Sequence, residues 1–271
     1  MNGGSRKAWR TVAALILALV VAASCGIGLL PGFSYSHQDR NFINAAPSHR
    51  FPLGTDDLGR DRFGRLLYAT RVSLLFAAGA ALATLLLAAA MGGWAGYAGG
   101  WCDRCFLRAI DLMLSLPWLF LLLAARAALP LNASPMTSLL VTYALLAGLG
   151  WAAPARVVRS GVRDLRNSDF VLQARSSGAG EWRLLWRHIL PNLRPILLAQ
   201  FWTSIPVFIL TEANLGFLGL SAGEPFPTWG TLLQDLRNPL WARPEAFAPV
   251  AAIALSVLCF KLLSPAKASR I

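Results

Sequence analysis

Apolar residues along this chain fall in runs of about 20, the length a helix needs to cross a hydrocarbon layer. Six such runs stand out, at about residues 9–30, 72–98, 106–129, 136–155, 195–218 and 246–264. The second and fourth are uninterrupted by charge. The third contains Asp111, Pro117 and Arg126, and the fifth contains Glu212. The pattern predicts an all-α, polytopic membrane protein with about six transmembrane helices. The first run follows Arg6, Lys7 and Arg10, a flank that a secretory signal peptide shares. Cys25 stands where a lipoprotein cysteine would, but Ala22-Ala23-Ser24 lacks a Leu three places upstream. The run is therefore read as a retained anchor helix.

The polar pattern is most informative between the fourth and fifth runs. Ser168 is placed to cap a short helix. Gly178-Ala179-Gly180 interrupts it, and a second helix can start at Glu181. Trp182, Leu185, Trp186 and Ile189 then follow the i, i+3, i+4, i+7 spacing of one helical stripe. Arg183, Arg187 and His188 take the other side, and Pro191 ends the helix. Two readings fit this hairpin: an interfacial amphipathic element that seals a bundle, or a docking element for a partner. Spacing alone does not choose.

Composition sharpens the membrane reading. Hydrophobic residues make up 56% and charged residues 14% of the 271, against about 25% charged in a soluble domain. Mean hydropathy is +0.52. The net charge of +12 belongs to membrane topology rather than to nucleic acid: three of the 25 basic residues are Lys, the remaining 22 are Arg, and no stretch reads as a basic, aromatic-bearing soluble domain. Positive residues favour the cytoplasmic side. Residues 156–194 carry eight Arg against three acids, and Lys267, Arg270 and Arg104 agree with that side. Six spans then put both termini in the cytoplasm. Residues 31–71, with six Arg and four Asp, fall outside by the same count and run against the rule.

Candidate chemistry is sparse. There is no GxxxxGK[ST], so the chain has no loop to cradle a nucleotide phosphate. HExxH and GxSxG are also missing, and neither an enzyme nor a cofactor site is expected. Cys102-Asp103-Arg104-Cys105 is a CxxC without a second pair or a neighbouring His, read as two incidental thiols. His37, His49 and His188 are far apart, and no metal site is expected from them. Ionisable residues within spans are functional candidates by default. Arg108 and Asp111, three apart, can face each other on one helix side. Glu212, late in the fifth span, is a candidate to line a pathway or to make a structural hydrogen bond. Pro117 and Pro206 can kink their helices, and Gly92, Gly96 and Gly100 form a face for close packing.

The stretch from Asn167 to Asn192 resembles the cytoplasmic signature of binding-protein-dependent ABC importer permeases. In this chain Gly178 is followed by nine residues and then by His188-Ile189-Leu190-Pro191. The His188-Ile189-Leu190-Pro191-Asn192 ending is typical of the dipeptide, oligopeptide and nickel branch. Phe51 to Asp61, continuing to Arg71-Val72-Ser73-Leu74, is similar to that branch's first extracytoplasmic segment. Glu212 to Gly219, with Pro227-Thr228-Trp229-Gly230, is similar to its fifth helix and last outer loop, and Gly100 to Arg104 with Pro117 also fits. Most of residues 50–265 are covered, and the match is to the C-type inner-membrane subunit. The Glu-Ala-Ala opening of the signature falls on Leu172, Gln173 and Ala174, and Ser176-Ser177 replaces the usual Ala-Leu. The resemblance implies a type I permease fold divided into an anchor and extracytoplasmic segment (1–71), a five-helix core (72–265) with a coupling loop (156–194), and a short cytoplasmic tail (266–271). It implies a prokaryotic inner-membrane subunit of an ATP-driven importer, with Leu172, Gln173, Ala174, Gly178, Glu181, Trp182, His188 and Pro191 at the ATPase contact. The implied partners are a second permease subunit, two cytoplasmic ATP-binding subunits, an extracytoplasmic substrate-binding protein and membrane lipid, with no nucleic acid. The alternative class is an ATPase-independent secondary transporter or channel subunit. That class predicts an inverted repeat of broken helices, and the two halves show none.

Overall fold

The computed structural model describes residues 3–26, 35–128, 134–221, 223, 226–237 and 244–264, with side chains from residue 7 onward. The expected tail at 266–271 lies outside them. Twelve α-helical segments account for nearly all regular structure among these residues: α1 (Gly3–Gly26), α2 (Arg62–Ala98), α3 (Gly100–Ser115), α4 (Trp118–Ala127), α5 (Pro135–Leu149), α6 (Ala152–Leu165), α7 (Asp169–Ser176), α8 (Glu181–Arg183), α9 (Leu190–Asn192), α10 (Arg194–Phe217), α11 (Trp229–Leu232) and α12 (Ala248–Leu263). A π-helical stretch, Leu184–Ile189, joins α8 to α9. Five spans are long and apolar enough to cross a membrane, or six if the bent pair α3–α4 counts as one.

The predicted spans hold with physically explicable differences. α10 matches its run closely. α2 starts ten residues earlier than its apolar run, because Asp61 caps it: its carboxylate accepts from the Phe63 and Gly64 amides at 3.1 and 3.0 Å. At 37 residues and ~1.5 Å per residue, α2 is about 55 Å long, well beyond a ~30 Å hydrocarbon core. Its Arg62, Arg65 and Arg71 therefore need not enter hydrocarbon. The third run is not one helix. Pro117 breaks it, and α3 and α4 meet at 84°, because proline lacks the N–H and clashes with the preceding turn. Pro206, by contrast, sits inside an unbroken α10. The fourth run is joined by α6 into a span over residues 135–165.

Contacts divide the chain into two compact units, Met1–Ala78 with Arg126–Tyr143 and Ile205–Leu263, and Gly79–Ala125 with Ala144–Ser204 and Ser264–Ile271. In the first unit α1 packs along α12. Arg10 donates to the Leu263 carbonyl at 3.2 Å, a cation on the open carbonyls of a helix end. The centre of this unit is Trp229, fully buried. Its indole N–H donates to Thr70 Oγ1 at 3.0 Å and its amide to Ser73 Oγ at 3.1 Å. A capping box between Thr228 and Thr231 starts α11 beneath it. Gly216 of α10 lies against Gly230; a Cβ on Gly216 would come within 2.5 Å of the Gly230 Cα.

In the second unit α2 and α6 approach backbone to backbone. A Cβ on Gly96 would meet the Arg159 carbonyl at 2.5 Å, and one on Gly92 would strike the Ala155 carbonyl. Gly100, the third of that spaced set, has open space around it and a φ of +59° at the start of α3. Ile110, Ala152 and Ala155 pack with Ala88, and Phe106 stacks on Trp151 at 5.8 Å.

Candidate functional site

The hairpin expected between residues 167 and 192 is present in the second unit, and its construction can be followed bond by bond. Arg166 ends α6 by donating to the Tyr97 carbonyl at 2.9 Å. Ser168 is the N-cap of α7, but its hydroxyl turns back to the Leu165 carbonyl at 2.6 Å, and its own carbonyl accepts from Val171 and Leu172. At the other end of α7 the Ala179 amide reaches the Ala174 carbonyl (3.1 Å) and the Gly178 amide reaches the Arg175 carbonyl (3.0 Å). These two bonds are a Schellman motif. It requires a left-handed residue, and Gly178 supplies φ +82°.

The second arm departs from the expected α-helical stripe. Residues 184–189 wind as a π-helix, with the Leu190 amide donating to the Leu185 carbonyl five residues back. The wider turn changes which side chains face inward. Leu184, Leu185 and Ile189 are buried against Val158, Val162 and Val171. Each such side chain contributes on the order of 2 kcal/mol when removed from water. Trp182 and Trp186, placed on the inward stripe by a 3.6-residue period, are instead 65% and 38% exposed, with ring centroids 5.3 Å apart.

One cluster ties the hairpin to the end of α2. The Tyr97 hydroxyl donates to the Glu181 carboxylate. Arg175 donates to the Tyr97 hydroxyl at 3.0 Å and lies 3.5 Å from Glu181. The Tyr97 hydroxyl, and then the Glu181 charge, hold the Arg175 guanidinium above its ordinary pKa. Between the arms opens a groove of ≈ 580 Å³, with Gln173, Ala174 and Ser177 on one wall and Arg183, Arg187 and His188 on the other. Arg183 and Arg187 make one wall basic, and Ala174, Ser177 and Ala179 give the lining small side chains.

Of the residues singled out in the sequence, Gln173, Ala174 and His188 line this groove. Gly178 makes the turn, Glu181 holds the anchor, and Pro191 lies in α9 just past the π-helix. Leu172 and Trp182 are exposed outside the groove. Tyr97, Arg175, Arg183 and Arg187 were not anticipated as site residues. The arginines were visible as charge, but nothing in the sequence links Tyr97 to a residue 84 positions away.

The intramembrane candidates are rearranged as well. Asp111 pairs with Arg156 of α6 and not with Arg108, which is exposed and has no partner among the described residues. The i, i+3 geometry on α3 is outcompeted by an identical side chain presented from a neighbouring helix. The strongest pair in this unit was not expected: Arg159 grips Asp103 through both Nε and Nη2, the latter at 2.5 Å, with both residues buried. Two parallel bonds between guanidinium and carboxylate are the strong form of such a pair. Asp103 therefore gives the Cys102–Cys105 segment a structural role. Among the described residues no group of three His, Cys, Asp or Glu could hold a metal.

Glu212, in the first unit, is fully buried. Ser221 donates to its Oε1 at 2.7 Å, and its Oε2 has no hydrogen-bond partner among the described residues.

Residues 88–266 match the family described as binding-protein-dependent transport system inner membrane component. The chain is 35% identical over 249 residues to the glutathione transport system permease protein GsiD of Pectobacterium atrosepticum, covering 92% of this chain and 81% of that protein. It is 33% identical over 254 residues to the dipeptide transport system permease protein DppC of Bacillus subtilis, covering 92% and 76%. It is 36% identical over 222 residues to the nickel transport system permease protein NikC of Escherichia coli, covering 82% and 78%.

Proposed function

The chain belongs to the binding-protein-dependent transport system inner membrane components, and from that premise we propose that it forms half of the translocation pathway of a di- or oligopeptide importer. It is a multi-pass membrane protein and a permease subunit of an ATP-driven importer. The finer reading adds a second permease, two cytoplasmic ATP-binding subunits and an extracytoplasmic binding protein. Peptide cargo is favoured because glutathione and dipeptides name the substrates of two of the relatives above. Both termini and residues 156–194 lie in the cytoplasm in this reading, and the Arg distribution supports that side.

The observation that carries the reading is the groove between α7 and the π-helical arm. It is basic on one wall, exposed, and fixed at its base by Tyr97, Glu181 and Arg175. A segment of the ATPase seats there, touching Gln173, Ala174 and His188 and passing over the Gly178 turn. ATP-driven closure of the ATPases then moves the hairpin, and the helices joined to it alternate access. The ATPase must bind the hairpin differently in its two states, because equal affinity shifts no equilibrium.

Gly178→Val tests this. No atom lies within 4 Å of a Cβ there, so the direct cost is the left-handed backbone, about 1–2 kcal/mol. The variant is expected to insert normally, to lose co-purification with the ATPases and to lose ATP-dependent uptake. Wild-type ATPase yield together with normal uptake would sink the coupling role.

A further inference from the structure

A cavity of ≈ 520 Å³ in the first unit is lined by charged groups that are nearly all satisfied, with one exception. Arg60 and Arg65 both lie on the buried Asp56, at 2.7 and 3.7 Å. Asp235 lies 3.7 Å from Arg62. Asp57 is exposed to water. The exception is Arg126, near the end of α4, which is only 3% exposed and has no carboxylate partner among the described residues.

Among the described residues Arg126 has one hydrogen bond, from Nε to the Leu220 carbonyl at 2.9 Å. A guanidinium carries five N–H donors in a fixed planar fork. Leu220 is itself held, its amide bonded to the Leu215 carbonyl at 2.8 Å in the turn that closes α10. The Nε bond thus fixes the plane of the fork and leaves the two terminal nitrogens uncommitted among the described residues. Ser138 and Ser221, both buried, line the same cavity. A buried charge is costly unless paired, and a planar fork of two free N–H groups matches a carboxylate.

We propose that Arg126 is the anion-binding group of a carboxylate subsite in this cavity, taking the free C-terminal carboxylate of a peptide in transit. The proposal rests on the peptide-importer reading above. It differs from a selectivity confined to the binding protein, since the permease itself recognises one end of the cargo. Asp57 and Asp235 on the same cavity leave room for a cationic end of the same molecule, while the carboxylate is the part with a dedicated buried partner.

The test uses the complete importer with its binding protein in proteoliposomes and compares a dipeptide with its C-terminal amide. The ratio of their uptake rates is measured for the wild type, Arg126→Gln and Arg126→Lys, so that the selectivity of the shared binding protein cancels. Arg126→Gln is expected to slow the free acid by ~10-fold or more, the scale of a lost charge-assisted hydrogen bond, and to leave the amide within about twofold of wild type. Arg126→Lys, which keeps the charge but not the fork, is expected to fall between, and it carries the test should Arg126→Gln fail to assemble. Equal losses for acid and amide overturn the subsite and make Arg126 a structural residue. Glu224 follows Ser221 by three residues in the sequence, and Glu224→Gln reproducing the acid-selective loss also overturns the subsite, since the arginine would then serve a carboxylate of this chain. Wild-type complex that moves neither peptide while its ATPases turn over overturns the peptide reading itself, and the subsite with it; that outcome is separate, because it appears before any Arg126 variant is compared.

Discussion

Two helices in this protein end in the same turn and lead to opposite surroundings. α7 closes with a Schellman motif at Gly178, and α10 closes with another at Gly219, where the Leu220 amide bonds to Leu215 and the Gly219 amide to Gly216. The two glycines have φ of +82° and +81°. Beyond Gly178 the chain enters an arm steadied by a cluster of the buried Tyr97 with the exposed Arg175 and Glu181 and bordering an open groove. Beyond Gly219 it leads to a segment fixed by a fully buried Trp229 and by glycine backbone against glycine backbone. The same local geometry thus serves an exposed, open surface and a seam that excludes other atoms. The turn gives direction; the neighbours decide its use.

The sharpest way to break this contrast is Gly216→Ala. The added Cβ meets Gly230 Cα at 2.5 Å and its carbonyl carbon at 2.6 Å, backbone atoms that cannot rotate away. A loss of about 3 kcal/mol is expected, read as a lowered unfolding temperature in detergent. Gly178→Ala meets nothing within 4 Å and should cost only about 1 kcal/mol or a little more. If the two substitutions cost the same, the seam is not the rigid element described.

A smaller effect should come from Tyr97→Phe. It removes the hydroxyl shared by Arg175 and Glu181 while keeping the ring, for about 1 kcal/mol. Hydrogen exchange of residues 169–183 should quicken while global unfolding barely moves. Unchanged exchange there would mean that Leu184, Leu185 and Ile189 alone fix the arm.

The smallest effect concerns pH. Burial raises the pKa of Asp235, and the nearby Arg62 and Arg65 only partly offset it. A carboxyl raised by folding adds stability that is fully present below its unfolded pKa, about 3.9, and is lost as pH rises through its folded value. Exchange of residues 226–237, corrected for the intrinsic rate, should therefore be slower at about pH 4 than at neutrality. Asp235→Asn should flatten that difference.

Sequence patterns revealed those features that depend on neighbours in the chain. Apolar runs located α1, α10 and α12, and Gly178 marked its turn, because hydrophobicity and left-handed backbone are local properties. Pro117 announced a break but not its 84° size, which depends on what α3 and α4 pack against. The early start of α2 was hidden because Arg62, Arg65 and Arg71 depress hydropathy in a segment that Asp61 nonetheless caps. The ion pairs were the least legible. Asp111 had a suitable arginine three residues away and took one 45 positions distant, and Asp103 found Arg159 across 56 positions. Which of 22 arginines meets which acid is decided only once helices are packed. The groove was half legible: Gln173, Ala174 and His188 came from resemblance, and the helical period already set Arg183, Arg187 and His188 off the apolar stripe, but nothing in the sequence showed that they face the other arm across a groove.

The π-helical winding of residues 184–189 has a consequence for chain length. A π turn stores one residue more than an α turn needs. Between residues 184 and 189 the hairpin therefore carries a spare, and a chain shortened by one residue there can close into an ordinary helix with no gap to bridge. A chain lengthened by one has nowhere to put the addition. Residues beyond the deletion would keep their phase, while the side chains within the former π turn, those beside the groove, would be re-faced. Indel tolerance at this point should be one-sided for folding and nil for transport, a signature that distinguishes a stored residue from a mere irregularity.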